Sequence, residues 1–502
     1  MSTTPAGATS SRSLFKNIFR SSGLYSIPYL AQPVIAVLML RVVTAHLSRS
    51  DYSVAEILSR AGDLLALLLG GCFGASIGYF YFEKDTAEER RPVIGTSVLG
   101  STFFGALIML ACWLLSGPIT RAAFGHESNE SHVFYLRVMA LGGAPAMALA
   151  AMLGWSRVAN RPRVTVIGAL ARALLGAATV LVLAVFFRLN ILGYISSGVV
   201  ANAIPAVVLA VVCWRATRPT FDPRLFVRMV KFSTPVGIGG LAMYCINFGD
   251  RLILPRYATL DAIGPYALAY RIGMLCVLPY VSFSDYWNAQ MYDVMKRDDA
   301  DTLFARLLTY AMGAIVLPCL ALTVFARPAI RLLAHRNFAD AAAFIPIIAF
   351  AYGIRSLGEF FRSRFFIAGR PGFDAICNWV GAALCIAGYF YWIPRLGTWG
   401  AAIATLAAFA AILAIALVWT YRIRPYRVEG RRLAKMATAL GVVLAAFAAL
   451  PVGSLAGQIA FGALLLAGFP GLLWVLGFAT PEERQALRAA VGSVMARNAP
   501  VR

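Results

Sequence analysis

The sequence predicts an all-α polytopic membrane protein with about 14 transmembrane helices, arranged as two six-helix lobes plus two C-terminal helices. Three observations carry this. Of 502 residues, 60% are Ala, Val, Ile, Leu, Met, Phe, Trp, Tyr or Cys, against roughly 45–50% in a soluble domain even when Gly is counted. Charged residues are 14%, where soluble proteins carry roughly 25%. Mean hydropathy is +0.73, and apolar runs of spanning length recur along the chain. This composition excludes a disordered chain, a collagen and a typical cytosolic enzyme.

The N-terminus is polar, with Arg12, Lys16 and Arg20 before an apolar run from Leu24. A cleaved signal peptide has an apolar region of about 7–15 residues and a small-residue cleavage site. This run continues to Val43, so an uncleaved first span is expected over 24–43. Further apolar runs place spans at 57–82, 93–115, 132–154, 164–187 and 191–213, completing an N-terminal lobe over 1–213. A basic linker, 214–231, follows with Pro219, Pro223 and four Arg. Spans at 232–254, 264–292, 303–326, 342–367, 373–393 and 397–420 form a C-terminal lobe over 232–420. The last part, 421–502, begins with the basic segment 421–432 and adds spans at 433–452 and 455–477 and a tail.

Charge distribution tests this layout, because cytoplasmic loops carry an excess of Lys and Arg. With the N-terminus in the cytoplasm, the cytoplasmic segments are 1–23, 83–92, 155–163, 214–231, 293–302, 368–372, 421–432 and 478–502. These hold Lys84, Arg90, Arg91, Arg157, Arg161, Arg163, Arg215, Arg218, Arg224 and Arg228, among others. The opposite side has shorter basic lists, except 327–341 with Arg327, Arg331 and Arg336. Both termini are therefore expected in the cytoplasm. The net charge of +22 reflects this topology, and nucleic acid is not expected as a partner.

No loop is much longer than about 20 residues, too short for a lid or an extra-membrane domain. The chain contains no G-x-x-x-x-G-K-[ST] loop, so transport powered by its own ATP hydrolysis is excluded. Cys72, Cys112, Cys213, Cys245, Cys276, Cys319, Cys377 and Cys385 all lie in or beside apolar runs with no C-x-x-C. They are expected to be small buried hydrophobes. His46, His126, His132 and His335 show no metal-ligand spacing and are expected to be solvated. Neither a metal nor a cofactor is expected.

The segment 232–279 reads FSTPVGIGGLAMYCINFGDRLILPRYATLDAIGPYALAYRIGMLCVLP. It resembles the seventh and eighth spans of bacterial polysaccharide translocases, the oligosaccharidyl-lipid flippases related to the multidrug and toxin extrusion family. The matching residues are Pro235, Gly237, Gly240, Asp250, Arg251, Gly264, Tyr266 and Ala269. Pro265 departs from the pattern, which has a small or β-branched residue there. A second match covers 366–409, with AGRPGF, Asn378, Ile393–Pro394, Gly397 and the small-residue run from Gly400. Gly70, Gly71, Gly74 and Gly78 of the second span are similar in type. The resemblance covers the predicted spans in order. It implies a non-enzymatic flippase for an undecaprenyl-pyrophosphate-linked oligosaccharide in the inner membrane, serving exopolysaccharide, capsule or O-antigen assembly. Its implied partners are that lipid-linked substrate, membrane lipids, and glycan polymerase and export machinery. The rivals are a lipid II-type flippase and an ion-coupled drug exporter of the same superfamily. A glycan polymerase or ligase would need a long outer loop.

Small residues such as Gly237, Gly239, Gly240, Ala401 and Ala402 permit close helix approach. Pro279, inside the eighth span, is expected to kink it. Charges within spans cost about 2.5–3.5 kcal/mol each and usually face an interior or a water-filled cavity. Arg dominates the set here, and guanidinium pairs bidentately with phosphate. The candidate substrate-binding residues are therefore Arg172, Arg271, Arg60, Arg137, Arg251 and Arg355. Asp63, Asp250, Asp285 and Glu359 are the candidate ion-coupling or gating acids. Alternatives stand beside these. Arg60–Asp63 and Arg355–Glu359 have helical spacing for simple pairing, with Arg362 on the latter face. Arg41, Arg137, Asp250 and Arg251 lie near span ends, where long side chains snorkel. Asp285 is a protonation site or a helix-pairing acid. The many Tyr and Trp read mostly as interfacial belts, with Tyr270, beside Arg271, able to stack on a sugar ring.

Overall fold

The computed structural model describes residues 31–70, 73–296, 298–423, 425–450, 452–481 and 485. Arg12, Lys16, Arg20, the start of the first expected span (24–30), Cys72 and most of the C-terminal tail lie outside the described residues. Among the described residues, all regular structure is helical. Twelve stretches of it are long and apolar enough to cross a membrane. These run from Ala87–Leu114 to Leu455–Val475 and match the expected third to fourteenth spans to within a few residues at most ends. The protein is a multi-pass membrane protein with an all-α fold.

Of the first expected span, the described part is an apolar helix, Ala31–His46 (α1). The second span is broken. Its first part, Arg49–Leu68 (α2), starts earlier than hydropathy indicates. The Ser48 side chain accepts from the Asp51 amide at 3.0 Å, and the Asp51 carboxylate accepts in turn from the Ser48 amide. This capping box fixes the helix start in a polar turn that a hydropathy window discards. At Gly70 the backbone turns to φ +113°, and a Cβ there would fall 2.8 Å from the Phe104 ring. Only glycine meets both conditions. A 3-10 turn, Phe73–Ser76, then leads into Ile77–Phe82 (α3).

The helices that follow are Ala87–Leu114 (α4), Ser116–Phe124 (α5), Glu130–Ala140 (α6), Gly143–Val158 (α7), Pro162–Thr179 (α8) and Asn190–Thr217 (α9). Next come Pro223–Phe248 (α10), Asp250–Ile253 (α11) and Leu260–Gly273 (α12). The second part of the chain holds Leu278–Val294 (α13), Ala300–Val324 (α14), Ala326–Leu333 (α15), Ala341–Ile367 (α16), Gly372–Leu396 (α17) and Thr398–Ile423 (α18). Gly430–Ala449 (α19) and Leu455–Val475 (α20) complete it. The expected break at Pro279 is present: a 3-10 turn, Met274–Val277, interrupts the helix just before it. Proline has no N–H to continue the ladder, so the preceding turn tightens.

The chain divides into two compact units. The first is Met1–Leu268, Leu332–Asp340 and Asn378–Thr405; the second is Ala269–Arg331, Ala341–Cys377 and Leu406–Arg502. These units divide the chain at other points than the lobes expected from the sequence, with α10 in the first unit. In the first unit, α4 packs on α7, and α7 on α9, around Phe73, Val93, Leu149, Trp155 and Met229. The segment 332–340 is tied in by polar bonds: Arg49 pairs with Asp340 at 2.9 Å and donates to the Asn337 carbonyl, and the His335 amide donates to Thr44 Oγ1.

Only 218–222 of the expected basic linker is not helical. Asp222 caps α10 by accepting from the Arg224 and Leu225 amides, and Pro223 opens the helix. This loop lies on α4. The Asp222 amide donates to Thr96 Oγ1 at 2.9 Å, and a Cβ at Gly95 would sit 2.7 Å from the Thr220 carbonyl carbon.

In the second unit, α14 packs on α16, and Phe304 stacks on Phe360 beside Trp287. Trp287 Nε1 donates to Ser363 Oγ at 2.8 Å, which removes the only polar group of a buried indole from hydrocarbon. Leu320 of α14, Met436 of α19 and Phe469 of α20 form a separate apolar core. Six of the expected buried cysteines are buried and Cys245 is half-buried; all seven are free. His132 corrects an expectation. It is not solvated but 5% exposed, its ring against Phe124 with centroids 4.2 Å apart.

Gly95→Ala is expected to lower the thermal unfolding midpoint in detergent, at an overpacking cost of about 1–3 kcal/mol. The obstruction is backbone and cannot swing aside. An unchanged midpoint would show that the loop is not held against α4.

Candidate functional site

The charges singled out in the second and seventh spans meet in the first unit. α2 presents Glu56, Arg60 and Asp63 at helical spacing, so they line one face. Asp250 and Arg251 form the start of α11, just past the end of α10. Arg60 donates to Glu56 through Nε and Nη2, both at 3.0 Å from Oε1, and to Asp63 at 2.7 Å. Arg251 Nε lies 3.5 Å from that same Glu56 oxygen. One carboxylate is thus shared by two guanidinium groups from different helices.

The network continues inward. Asp250 Oδ1 accepts from the Arg251 amide at 2.9 Å and from Arg251 Nη1 at 3.2 Å. Its Oδ2 accepts from the Tyr266 hydroxyl of α12 at 2.5 Å. Tyr244 of α10 donates to the Arg60 carbonyl. The Phe248 ring carries Arg60 at 4.3 Å and Arg251 at 5.6 Å from its centroid. Two cations and three anions are therefore gathered on α2 and α11, against aromatic side chains of α10 and α12. Side-chain exposure is 0% at Asp250 and 2% at Arg251, then 16% at Glu56, 22% at Arg60 and 55% at Asp63. The chain of partners runs from a sealed end to an open one. Arg251 does not snorkel; its two acids compensate it in place.

The second unit has its own pairs. Arg355 Nε and Nη2 both bond Glu359 at 3.0 Å, and the guanidinium lies over Tyr352 and Phe409. Arg362 pairs with Asp374 at 3.4 Å. Arg364 is 4% exposed, over the rings of Phe304 and Tyr426. Tyr270 is 1% exposed and meets Tyr352 edge-on, so it belongs to the core and is closed to a sugar. Asp285 is exposed on α13.

Other candidates stand apart from these groups. Arg172 on α8 is exposed and has no ion pair among the described residues. Arg271, at the end of α12, is exposed. Arg137 on α6 is exposed and bonds Ser116 Oγ at 3.0 Å, over Trp113. Arg41 donates to the Leu332 carbonyl at 3.0 Å. Sequence reasoning missed Glu56, the hub, because the second span was drawn from residue 57. Its i, i+4 spacing to Arg60 was the available signal. Arg364 was missed as well. Among the described residues no group of three or more His, Cys, Asp or Glu is placed to hold a metal ion.

The sequence signature described as "Polysaccharide biosynthesis protein" matches residues 14–284, more than half of the chain. The chain belongs to that family. No curated protein matches it by sequence. Among solved structures, it is similar to the lipid II flippase MurJ in an inward closed conformation, with a TM-score of 0.72 at 12% identity, covering 90% of this chain and 98% of that one. It is also similar to a MATE family multidrug resistance transporter of the MOP superfamily in an inward-facing conformation, with a TM-score of 0.63 at 15% identity, covering 80% and 94%. The outward-facing form of such a transporter gives 0.55 at 14% identity, covering 81% and 95%. At these identities the likeness is one of fold. This chain thus shares its helical framework with a flippase and with multidrug transporters.

Glu56→Gln is expected to destabilise the chain by about 3 kcal/mol, because it withdraws the counter-charge shared by a buried Arg. Tyr266→Phe, which takes a hydrogen bond from buried Asp250, should cost about 1–3 kcal/mol. Asp63→Asn, at the exposed end, should cost below about 1 kcal/mol. Thermal midpoints in detergent rank the three; equal shifts would contradict a network graded by burial.

Proposed function

We propose that this protein is a flippase that moves an undecaprenyl-pyrophosphate-linked oligosaccharide across the inner membrane for exopolysaccharide, capsule or O-antigen assembly. The observation that carries this reading is the family match over 14–284, supported by a flippase fold that overlaps 90% of the chain. Both termini face the cytoplasm in this reading, as the loop charges favour. The lobes 24–213 and 232–420 alternate access to the two sides. Broken elements at Gly70 and before Pro279 suit such movement, since discontinuous helices absorb a change of angle where continuous ones resist it.

The head of such a cargo is anionic at its pyrophosphate. Arg172 and Arg271, both exposed, are the cavity cations that meet it. Arg60, Arg137, Arg251 and Arg355 act in support, with their charge already shared with local partners. Asp63, Asp250, Asp285 and Glu359 serve coupling or gating. Glycan polymerase and export machinery are the downstream partners. A lipid II-type cargo is the second reading, favoured by the structural overlap with a lipid II flippase.

A clean deletion in the native host tests the proposal, read by surface polysaccharide and by lipid-linked intermediates on each membrane face. Loss of one polymer, with its finished repeat unit trapped on the cytoplasmic leaflet, is the expected result. Normal polymer with raised drug sensitivity would replace it with an exporter. Arrest of wall growth would replace it with the lipid II reading. In the complemented strain, Arg172→Ala with Arg271→Ala should abolish glycan export at unchanged membrane levels. Unchanged export would remove these two residues from the cavity.

A further inference from the structure

A concentration of positive charge lies in the first unit, on residues outside the Glu56 network. Three sequence segments, 83–92, 155–163 and 214–231, meet at the helix ends around a cavity of about 340 Å³. It is lined by Arg90 and Arg91 of α4, Arg161 before α8, and Arg215 and Arg218 at the end of α9. Its lining is more polar than apolar, in contrast to two other cavities of the described residues. The volume would hold roughly ten water molecules, which is room for a phosphate with its substituents.

This cavity is built by the fold. The absent side chain of Gly95 lets the 218–222 loop rest on α4, where the Thr220 amide donates to the Arg91 carbonyl. Arg218 closes α9 in the left-handed conformation, with φ +44°. The Arg161 guanidinium lies over the buried Trp155 ring at 5.2 Å. Arg90 lies over Tyr81 at 4.6 Å and donates Nε to the Lys84 carbonyl at 2.9 Å. Aromatic floors and a backbone bond hold two of the guanidiniums in place. Compensation is slight. Arg91 reaches Glu88 at 3.9 Å, and that acid is 84% exposed. Arg161, Arg215 and Arg218 have no carboxylate partner among the described residues. Five cations facing one space repel one another unless an anion enters.

We infer that this cavity binds the phosphate headgroup of an anionic phospholipid. The level of the site selects a lipid over a soluble phosphate. Trp214, next to Arg215 in the last turn of α9, is 62% exposed, and an exposed Trp at a span end marks the headgroup region. Basic pockets between helix ends hold phospholipid headgroups by this chemistry, with each Arg near the surface adding to the attraction. Bidentate guanidinium–phosphate geometry adds direction to it. Neither Arg172 nor Arg271 lines this cavity, and its occupancy does not depend on which cargo the protein moves.

The test uses the full-length protein, delipidated in neutral detergent. Its thermal midpoint is followed as phosphatidylglycerol, phosphatidylcholine or inorganic pyrophosphate is added. Phosphatidylglycerol should raise the midpoint by several degrees, and the other two should not. The triple variant Arg161→Gln, Arg215→Gln, Arg218→Gln should raise the half-saturating lipid concentration about tenfold or more. A control triple, Arg121→Gln, Arg188→Gln, Arg395→Gln, removes equal charge elsewhere and should respond as the wild type does. Should the pocket variant fail to fold, Arg161→Gln alone and native mass spectrometry of lipid retained by the wild type give the same reading. Equal loss in both triples would reduce the effect to net charge and overturn the site. An equal response to pyrophosphate would overturn the lipid assignment, and no response to phosphatidylglycerol, or no retained anionic lipid, would overturn both.

Discussion

Hydrocarbon offers no hydrogen-bond partner and no screening, and the rest of this structure follows from that. Every backbone amide and carbonyl in the bilayer must find its partner within the protein, which leaves helices as the solution for this chain. The same constraint governs charge. An ion inside the bundle is tolerated when its counter-ion comes with it. Glu56 shows how little is needed. One oxygen serves Arg60 on its own helix and Arg251 beyond the end of α10. Removing it would take from both cations an acid that they share.

The ladder is interrupted where packing supplies what it loses. Gly70 adopts a backbone angle closed to other residues, beneath the Phe104 ring. The Met274–Val277 turn accommodates Pro279 and lies in a segment whose Cys276 thiol donates to the Ala349 carbonyl at 3.4 Å. Both interruptions are thus held by neighbours in their own unit. A helix broken in this way can bend without exposing unpaired backbone groups to lipid, which is what a moving bundle requires.

The arginines fall into three physical classes. Some are neutralised by acids within hydrogen-bond reach, as at Arg60, Arg251, Arg355 and Arg362. Others rest on aromatic faces, as Arg364 does between Phe304 and Tyr426. A third class is exposed, with its charge available, and includes Arg172 and the end cluster around Arg215 and Arg218. Sequence position does not separate these classes. Arg362 and Arg364 sit two residues apart on one helix, yet one pairs with Asp374 and the other stacks on rings.

The sequence by itself determined the membrane class, the all-helical architecture and the positions of twelve spanning helices, because hydropathy and helical periodicity are local properties. It placed the break at Pro279, since proline acts on its own turn. Family residues such as Asp250, Arg251 and Tyr266 were legible as a motif. Their assembly was not. Tertiary structure alone decided that Arg251 meets Glu56, that His132 is packed on Phe124 and that Tyr270 is sealed in the core. It also decided where the second span starts and breaks, since a polar capping turn and a left-handed glycine leave no trace in a hydropathy average. Which cation finds which anion depends on helix packing that joins residues nearly two hundred positions apart, and no window along the chain contains both partners.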